Sequence, residues 1–384
     1  MNSESKLLLA ALLAGLSATA SAEIPIDVIG GSEVSFEGLL QADINHFRSD
    51  VADLDGDALD GGDTDHELRR AEFVLKGKGP GAWNWVLGYD AKADKFLDAN
   101  VGYRFAGSTV LTIGQSKQPN SLEELSSTKN NDFIAKAMTT NLQAVARRLG
   151  VSLATGGDDW TLAGSVFDRE LTRRLANGAG FGARGTWAPV NDRGRLLHLG
   201  LSYVDVEAED SLGKGRARFR VRPDADLAGV RLVDSGQLTD ADRIATVGGE
   251  LVWVHGPLKV QAEAMRTRVG RDFNPDYAFD SAYVSGVWNL TGETWGYRNG
   301  VVTTGLPDDP AAGLWQLGVR HDRVDLDDGA VFGGRESNWT IGLNHYWRSN
   351  FKTMLNVVAV RSERGADPVR DDPSIVEFRA QLFW

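Results

Sequence analysis

Val34-Ser35-Phe36-Glu37-Gly38-Leu39-Leu40-Gln41-Ala42-Asp43-Ile44-Asn45 is the stretch whose reading decides the fold. Val34, Phe36, Gly38, Leu40, Ala42 and Ile44 alternate with Ser35, Glu37, Leu39, Gln41, Asp43 and Asn45. Successive side chains of a strand point to opposite faces, so this period gives one apolar and one polar face. The carboxyl terminus repeats it, with Val376, Phe378, Ala380, Leu382 and Trp384 set against Glu377, Arg379, Gln381 and Phe383. Between these ends the same alternation recurs, for example at Trp85–Ala91, Leu97–Tyr103, Trp160–Val166, Leu197–Tyr203, Val247–Trp253, Leu258–Ala264, Tyr277–Val287, Trp339–Leu343 and Leu355–Ala359. Segments of about ten residues suit a tilted membrane strand.

The connections alternate in length. Lys78-Gly79-Pro80-Gly81, His255-Gly256-Pro257 and Arg348-Ser349-Asn350 are short turns; Arg48–Glu67, Gln118–Ala146, Glu207–Ile244 and Ser362–Pro373 are long and polar. Short turns on one rim and long loops on the other predict an all-β transmembrane antiparallel barrel. The count from Val34 reaches about 16 strands if Arg216–Val221 belongs to a long loop; as a hairpin partner it would change the total. A soluble β-sandwich also alternates. Against it stand the aromatics near segment ends (Trp85, Tyr89, Tyr103, Trp187, Tyr203, Trp253, Trp288, Trp315, Trp339, Tyr346, Trp384), which match membrane girdles, and the strongly polar second face.

Met1–Lys6, the apolar Leu7–Leu16 and Ala20-Ser21-Ala22 read as an export signal, residues 1–22, leaving 23–384 as one barrel domain. The absence of cysteine excludes a disulfide scaffold and a thiol nucleophile. A net charge of −12 argues against nucleic acid as a partner. The six histidines form no H-E-x-x-H spacing, and neither a nucleophile elbow nor a phosphate-binding loop is present, so the expectation is no enzyme, no cofactor and no metal.

Arg216, Arg218, Arg220 and Arg222 recur at every second residue, with Ala217, Phe219 and Val221 between them. An extended segment sets these four guanidiniums on one face, about 6–7 Å apart. Guanidinium is always charged and its planar fork fits phosphate oxygens, so the row offers a mobile anion several similar sites. The alternative is a solvated basic edge of a surface loop. Strand parity adds Arg70, Lys76, Lys92, Arg104, Arg148, Arg184, Lys259, Arg320 and Arg379 to the polar face, against Glu37, Asp43, Glu72, Asp90, Asp98, Glu250, Glu263, Asp280 and Glu377. These two sets balance, so any anion bias must come from the row and from the third loop, where Lys117, Lys129, Lys136, Arg147 and Arg148 outnumber Glu123, Glu124 and Asp132.

Leu68-Arg69-Arg70-Ala71-Glu72-Phe73, Gly114-Gln115-Ser116-Lys117-Gln118-Pro119, Leu232-Val233-Asp234-Ser235-Gly236 and Gly342-Leu343-Asn344-His345-Tyr346, in that order, resemble the phosphate-selective porins O and P of Gram-negative bacteria. The resemblance covers most of the chain. It implies an outer-membrane homotrimer of sixteen-stranded barrels surrounded by outer-membrane lipid, each with an inward-folded third loop. It further implies an arginine ladder lining the pore at Arg216–Arg222, constriction lysines of which Lys117 is the best match, with Lys129 and Lys136, and a like-placed acid at Asp98 or Asp90. The expected function is passive diffusion of small anions, phosphate or polyphosphate first; a general, weakly selective porin is the alternative. The acidic stretch Asp50–Asp65 departs from a basic pore, and Asp53-Leu54-Asp55-Gly56-Asp57 invites a calcium reading, but Thr64 stands where a closing glutamate belongs.

Overall fold

The computed structural model describes residues 24–29, 31–56, 63–105, 107–172 and 178–384. The proposed export signal and residues 57–62 of the acidic stretch therefore lie outside the described residues.

Sixteen antiparallel strands close into one barrel: β1 (Ser32–Arg48), β2 (Thr64–Lys78), β3 (Trp83–Asp90), β4 (Lys95–Arg104), β5 (Val110–Lys117), β6 (Arg147–Gly156), β7 (Trp160–Phe167), β8 (Gly180–Asp192), β9 (Arg195–Glu207), β10 (Ala241–His255), β11 (Leu258–Arg271), β12 (Tyr277–Asn289), β13 (Leu314–Asp328), β14 (Val331–Trp347), β15 (Phe351–Arg364) and β16 (Ser374–Phe383). Closure is made by the two stretches that opened the sequence reading: β1 pairs β16 from Leu39↔Phe383 to Arg48↔Ser374. The seam is polar inside. Arg379 forks onto both oxygens of Asp43 at 2.6 Å, Gln41 bonds Gln381 at 2.7 Å, and Asn45 bonds Glu377 at 3.1 Å.

The two faces differ as the period requires. Outward Leu201, Val166 and Ile341 are 69%, 61% and 58% exposed, whereas inward Gln41, Asn338 and Asn356 are fully buried. Water would oppose so much open apolar surface. A lipid bilayer turns each such side chain into a gain of about 1.5–3 kcal/mol. The strands β3, β5 and β7 have 8 residues, whereas β10, β13 and β14 have 15, 15 and 17, so one wall is low and the opposite wall tall.

Three connections fill the lumen. Loop L3 (residues 118–146) carries helices α1 (Leu122–Leu125) and α2 (Met138–Gln143). Loop L5 (208–240) contains Arg216–Val221, which pairs within the loop, Arg216↔Thr239 and Arg220↔Asp234, and adds no strand to the barrel. Turn T6 (290–313) enters from the opposite rim as a hairpin, Gly296–Arg298 against Val301–Thr303. Apolar contacts pin them: Met138 of L3 packs with Ala217, Phe219, Val221 and Val233 of L5 and with Phe279 and Val324 of the wall. Leu122 packs with Trp295 and Val302 of T6 and with Val252 and Val287 of the wall.

Several expectations need correction. Connection length does not sort cleanly by rim, because T6 is long on the short-turn rim. Asp280 and Tyr346 sit on the opposite faces from those expected: Asp280 points outward, 56% exposed in its side chain, and Tyr346 points inward, 1% exposed. In β12 the apolar parity is inverted, with Phe279 and Val287 facing inward, because the lumen loops supply apolar partners there. Leu97 is buried rather than outward, since a register shift between Leu87 and Tyr89 turns β4 at that point.

Candidate pore lining and constriction

The row on L5 has the geometry its spacing requires. Ala217, Phe219 and Val221 are 4%, 8% and 3% exposed in the apolar cluster, so Arg216, Arg218, Arg220 and Arg222 share the other face. Arg218 Nε donates to Asp234 Oδ1 at 2.9 Å, and Arg222 Nε donates to the Ala228 carbonyl at 2.6 Å. Among the described residues Arg216 and Arg220 have no ion pair. Arg231, two residues before the loop's return strand Val233–Asp234, joins the group. Burial and the nearby Arg222, Arg220 and Arg218 push its guanidinium below its usual pKa, against the pull of Asp234. The sequence reading passed over Arg231 because its place beside the row depends on the pairing Val221↔Val233.

The wall facing this loop contributes two consecutive arginines. A bulge opposite Gln41 and Ala42 inserts Arg69 as an extra residue, so that Arg69 and Arg70 both face the lumen. Arg69 meets Asp226 of L5 and Arg70 meets Glu72, each at 3.0 Å. Burial pushes the Asp226 carboxyl up, but Arg69 and Arg379 overcome it and hold it at about 2. Strict alternation would have placed Arg69 in lipid; the charge itself was the signal that it could not be there.

Below, a cavity of about 280 Å³ lies between L3 and the low wall, lined by Glu37, Glu72, Lys76, Asp98, Lys117, Lys129 and Arg147. Four cations face three carboxylates. Lys117 donates to the carbonyls of Glu124 and, at 2.8 Å, Ser126. Glu37 takes Lys76 at 2.5 Å and Lys129 at 3.1 Å. Arg147 forks onto Asp98 at 3.2 and 3.0 Å. Lys136 stands outside this cavity, paired with Glu124. Burial raises the Glu124 carboxyl, yet Lys136 and Lys117 hold it at about 2.

Two further wall cations, Arg320 and Arg184, hold the lumen loops in place. Arg320 joins Asp224 of L5 at 2.9 Å to the Ala135 carbonyl of L3 at 3.0 Å. Arg184 joins Glu250 at 2.7 Å to the Gly300 carbonyl at the tip of T6 at 2.8 Å. Arg148, 9% exposed, lies behind the start of L3 with its backbone carbonyl near Gln118. Among the described residues no cluster of His, Asp and Glu has the arrangement of a metal site.

A closed sixteen-stranded barrel with an apolar outer belt, a charged lumen and loops folded inward defines the class: this is a porin of the Gram-negative outer membrane. The chain belongs to the family of phosphate-selective porins O and P, whose profile matches residues 40–384. Porin O of Pseudomonas aeruginosa is 24% identical over 416 aligned positions, covering 94% of this chain and 92% of that protein. An uncharacterized protein of Caulobacter vibrioides is 28% identical over 323 positions, 79% of this chain; the match spans 64% of that relative's length. Among solved structures, outer-membrane-expressed OmpT of Vibrio cholerae superposes with a TM-score of 0.61 at 10% identity, covering 94% of this chain and all of that one.

Proposed function

We propose that the protein conducts small anions passively across the outer membrane, with phosphate or polyphosphate preferred, and that it assembles as a homotrimer. The reading rests on one observation above the others: Arg216, Arg218, Arg220 and Arg222 share one face of L5, and among the described residues only Arg218 spends its charge on a carboxylate. Anions gather at this arginine face at the wide mouth. They then pass to the cavity beside L3, where Lys76, Lys117, Lys129 and Arg147 replace part of the hydration shell. Because each of these cations already holds an internal oxygen, the anion exchanges with weak partners and is released again. Changing Arg216, Arg218, Arg220 and Arg222 to Ala lowers anion conductance and shifts the reversal potential toward cations; unchanged conductance contradicts the ladder.

The general, weakly selective porin is the second reading, favoured by the pairing of Glu37 and Asp98 with the constriction cations and of Glu72 with Arg70. A reversal potential near zero in a salt gradient supports it over the first.

A further inference from the structure

On the tall wall the outward side chains record the depth of the membrane. Along β14 the outward face runs from Trp347 through Leu343 and Ile341 to Trp339. Eight residues at about 3.3 Å each, tilted by about 40°, rise roughly 20 Å, close to the apolar band of such barrels. Trp347 and Trp339, 49% and 55% exposed, therefore mark its lower and upper edges. The next outward position above Trp339 is Ser337, and its direct cross-strand partners are Arg323 on β13 and Arg361 on β15. One row higher, Arg335 lies between Asp325 and Glu363.

We propose that this outer face binds the phosphate-bearing headgroups of outer-leaflet lipid. Arg323, Ser337 and Arg361 form a level row at headgroup height, with the guanidinium-bearing strands about 9–10 Å apart. The small serine leaves the space between them open, and with Arg335 and Arg370 they line a cavity of about 270 Å³ that Glu336, Glu363 and Asp372 also line, Asp372 being held by Arg370 at 2.8 Å. Arg361 has no ion pair among the described residues. Arg323, 64% exposed in its side chain, reaches Asp325 only at 3.9 Å, and that carboxylate already holds Arg335 at 3.0 Å. Two guanidiniums without a dedicated acid, set just above an apolar belt, complement an anionic group attached to acyl chains. Every cation of the site is an arginine, four against three carboxylates, and the planar fork engages phosphate with two bonds. The barrel wall separates the row from the lumen, so free phosphate in transit does not meet it. The apolar belt directly below continues the site as a surface for the acyl chains of the same lipid.

The full-length protein, extracted in a neutral detergent, is mixed with phosphatidic acid or phosphatidylcholine, and bound lipid is counted by native mass spectrometry. The wild-type chain retains phosphatidic acid in preference to phosphatidylcholine. Arg323→Gln with Arg361→Gln lowers that retention at least tenfold, since one basic side chain at a charged lipid surface accounts for about fivefold. Phosphate block and single-channel conductance stay as in the wild type, and Arg323→Lys with Arg361→Lys, which keeps the charge but loses the fork, falls between the two. Equal retention by wild type and both variants overturns the proposal. So does a loss of phosphate block that accompanies the loss of lipid, or a change in subunit number with lipid retention intact.

Discussion

Asp234→Asn isolates the charge of the arginine face with little change of shape. Among the described residues Asp234 is the one carboxylate paired with the row, and its Oδ1 accepts both Arg218 Nε at 2.9 Å and the Gly236 amide at 2.9 Å. An asparagine oxygen keeps these two bonds; the bond from Arg218 Nη2 to Oδ2 is lost, because the amide NH2 in that place cannot accept, and Arg218 is freed as one negative charge leaves. At about 7 Å in water, a unit charge acts on a monovalent anion with about 0.6 kcal/mol, and at 0.01 M salt screening removes only a fifth of this. The variant should raise the local concentration of chloride about twofold and of divalent phosphate about fivefold. The assay is the reversal potential across a dilute salt gradient in a planar bilayer, together with the phosphate concentration that halves chloride current. The variant moves the potential toward the anion limit and blocks at several-fold lower phosphate; in 1 M salt, with a screening length of about 3 Å, the difference disappears. An unchanged potential at low salt, or a difference that persists at 1 M, refutes the reasoning.

Other outcomes follow from the same contacts. Glu37→Gln releases both Lys76 and Lys129 at the constriction and increases anion conductance by about the same twofold at low salt, read from single-channel current. Arg184→Ala leaves the buried Glu250 with only His198 beside it and frees the tip of T6; it costs about 3 kcal/mol of stability, read from the midpoint of thermal unfolding, and adds current noise. Gly38→Val drives a side chain into the Trp384 indole at the closing seam and costs about 1–3 kcal/mol, measured the same way. The depressed carboxyls of Glu124 and Asp226 give stability that is complete above about pH 4 and lost as pH falls toward 2, because their ordinary values lie near 4. Protease access to L3 and L5 should therefore begin to rise only below pH 4.

The barrel was legible because lipid on one side and polar lumen on the other impose a period of two on almost every strand. Legibility failed where a tertiary partner changed the rule. The bulge at Arg69 shifts parity by one residue, and nothing local marks it except a charge assigned to lipid. Phe279, Val287 and Tyr346 were expected outside because they are apolar; Phe279 and Val287 face inward against L3, L5 and T6, and Tyr346 faces inward against Leu39, Leu314 and Phe383 of the wall. T6 itself left a signal that went unread: Asn299-Gly300, with φ of 52° and 72°, is the two-residue turn that closes a tight hairpin. The four-arginine row was visible as a pattern, whereas the companionship of Arg231 and the pairing of each constriction lysine depend on loop folding. Sequence parity counted the charges but could not say which of them cancel.

The central claim is that the cations of L5 and the constriction select phosphate. The direct measurement is single-channel current of the reconstituted protein in chloride, followed by addition of phosphate. Block of chloride current at low phosphate, with an anion-selective reversal potential, is the predicted result; a current indifferent to phosphate contradicts it.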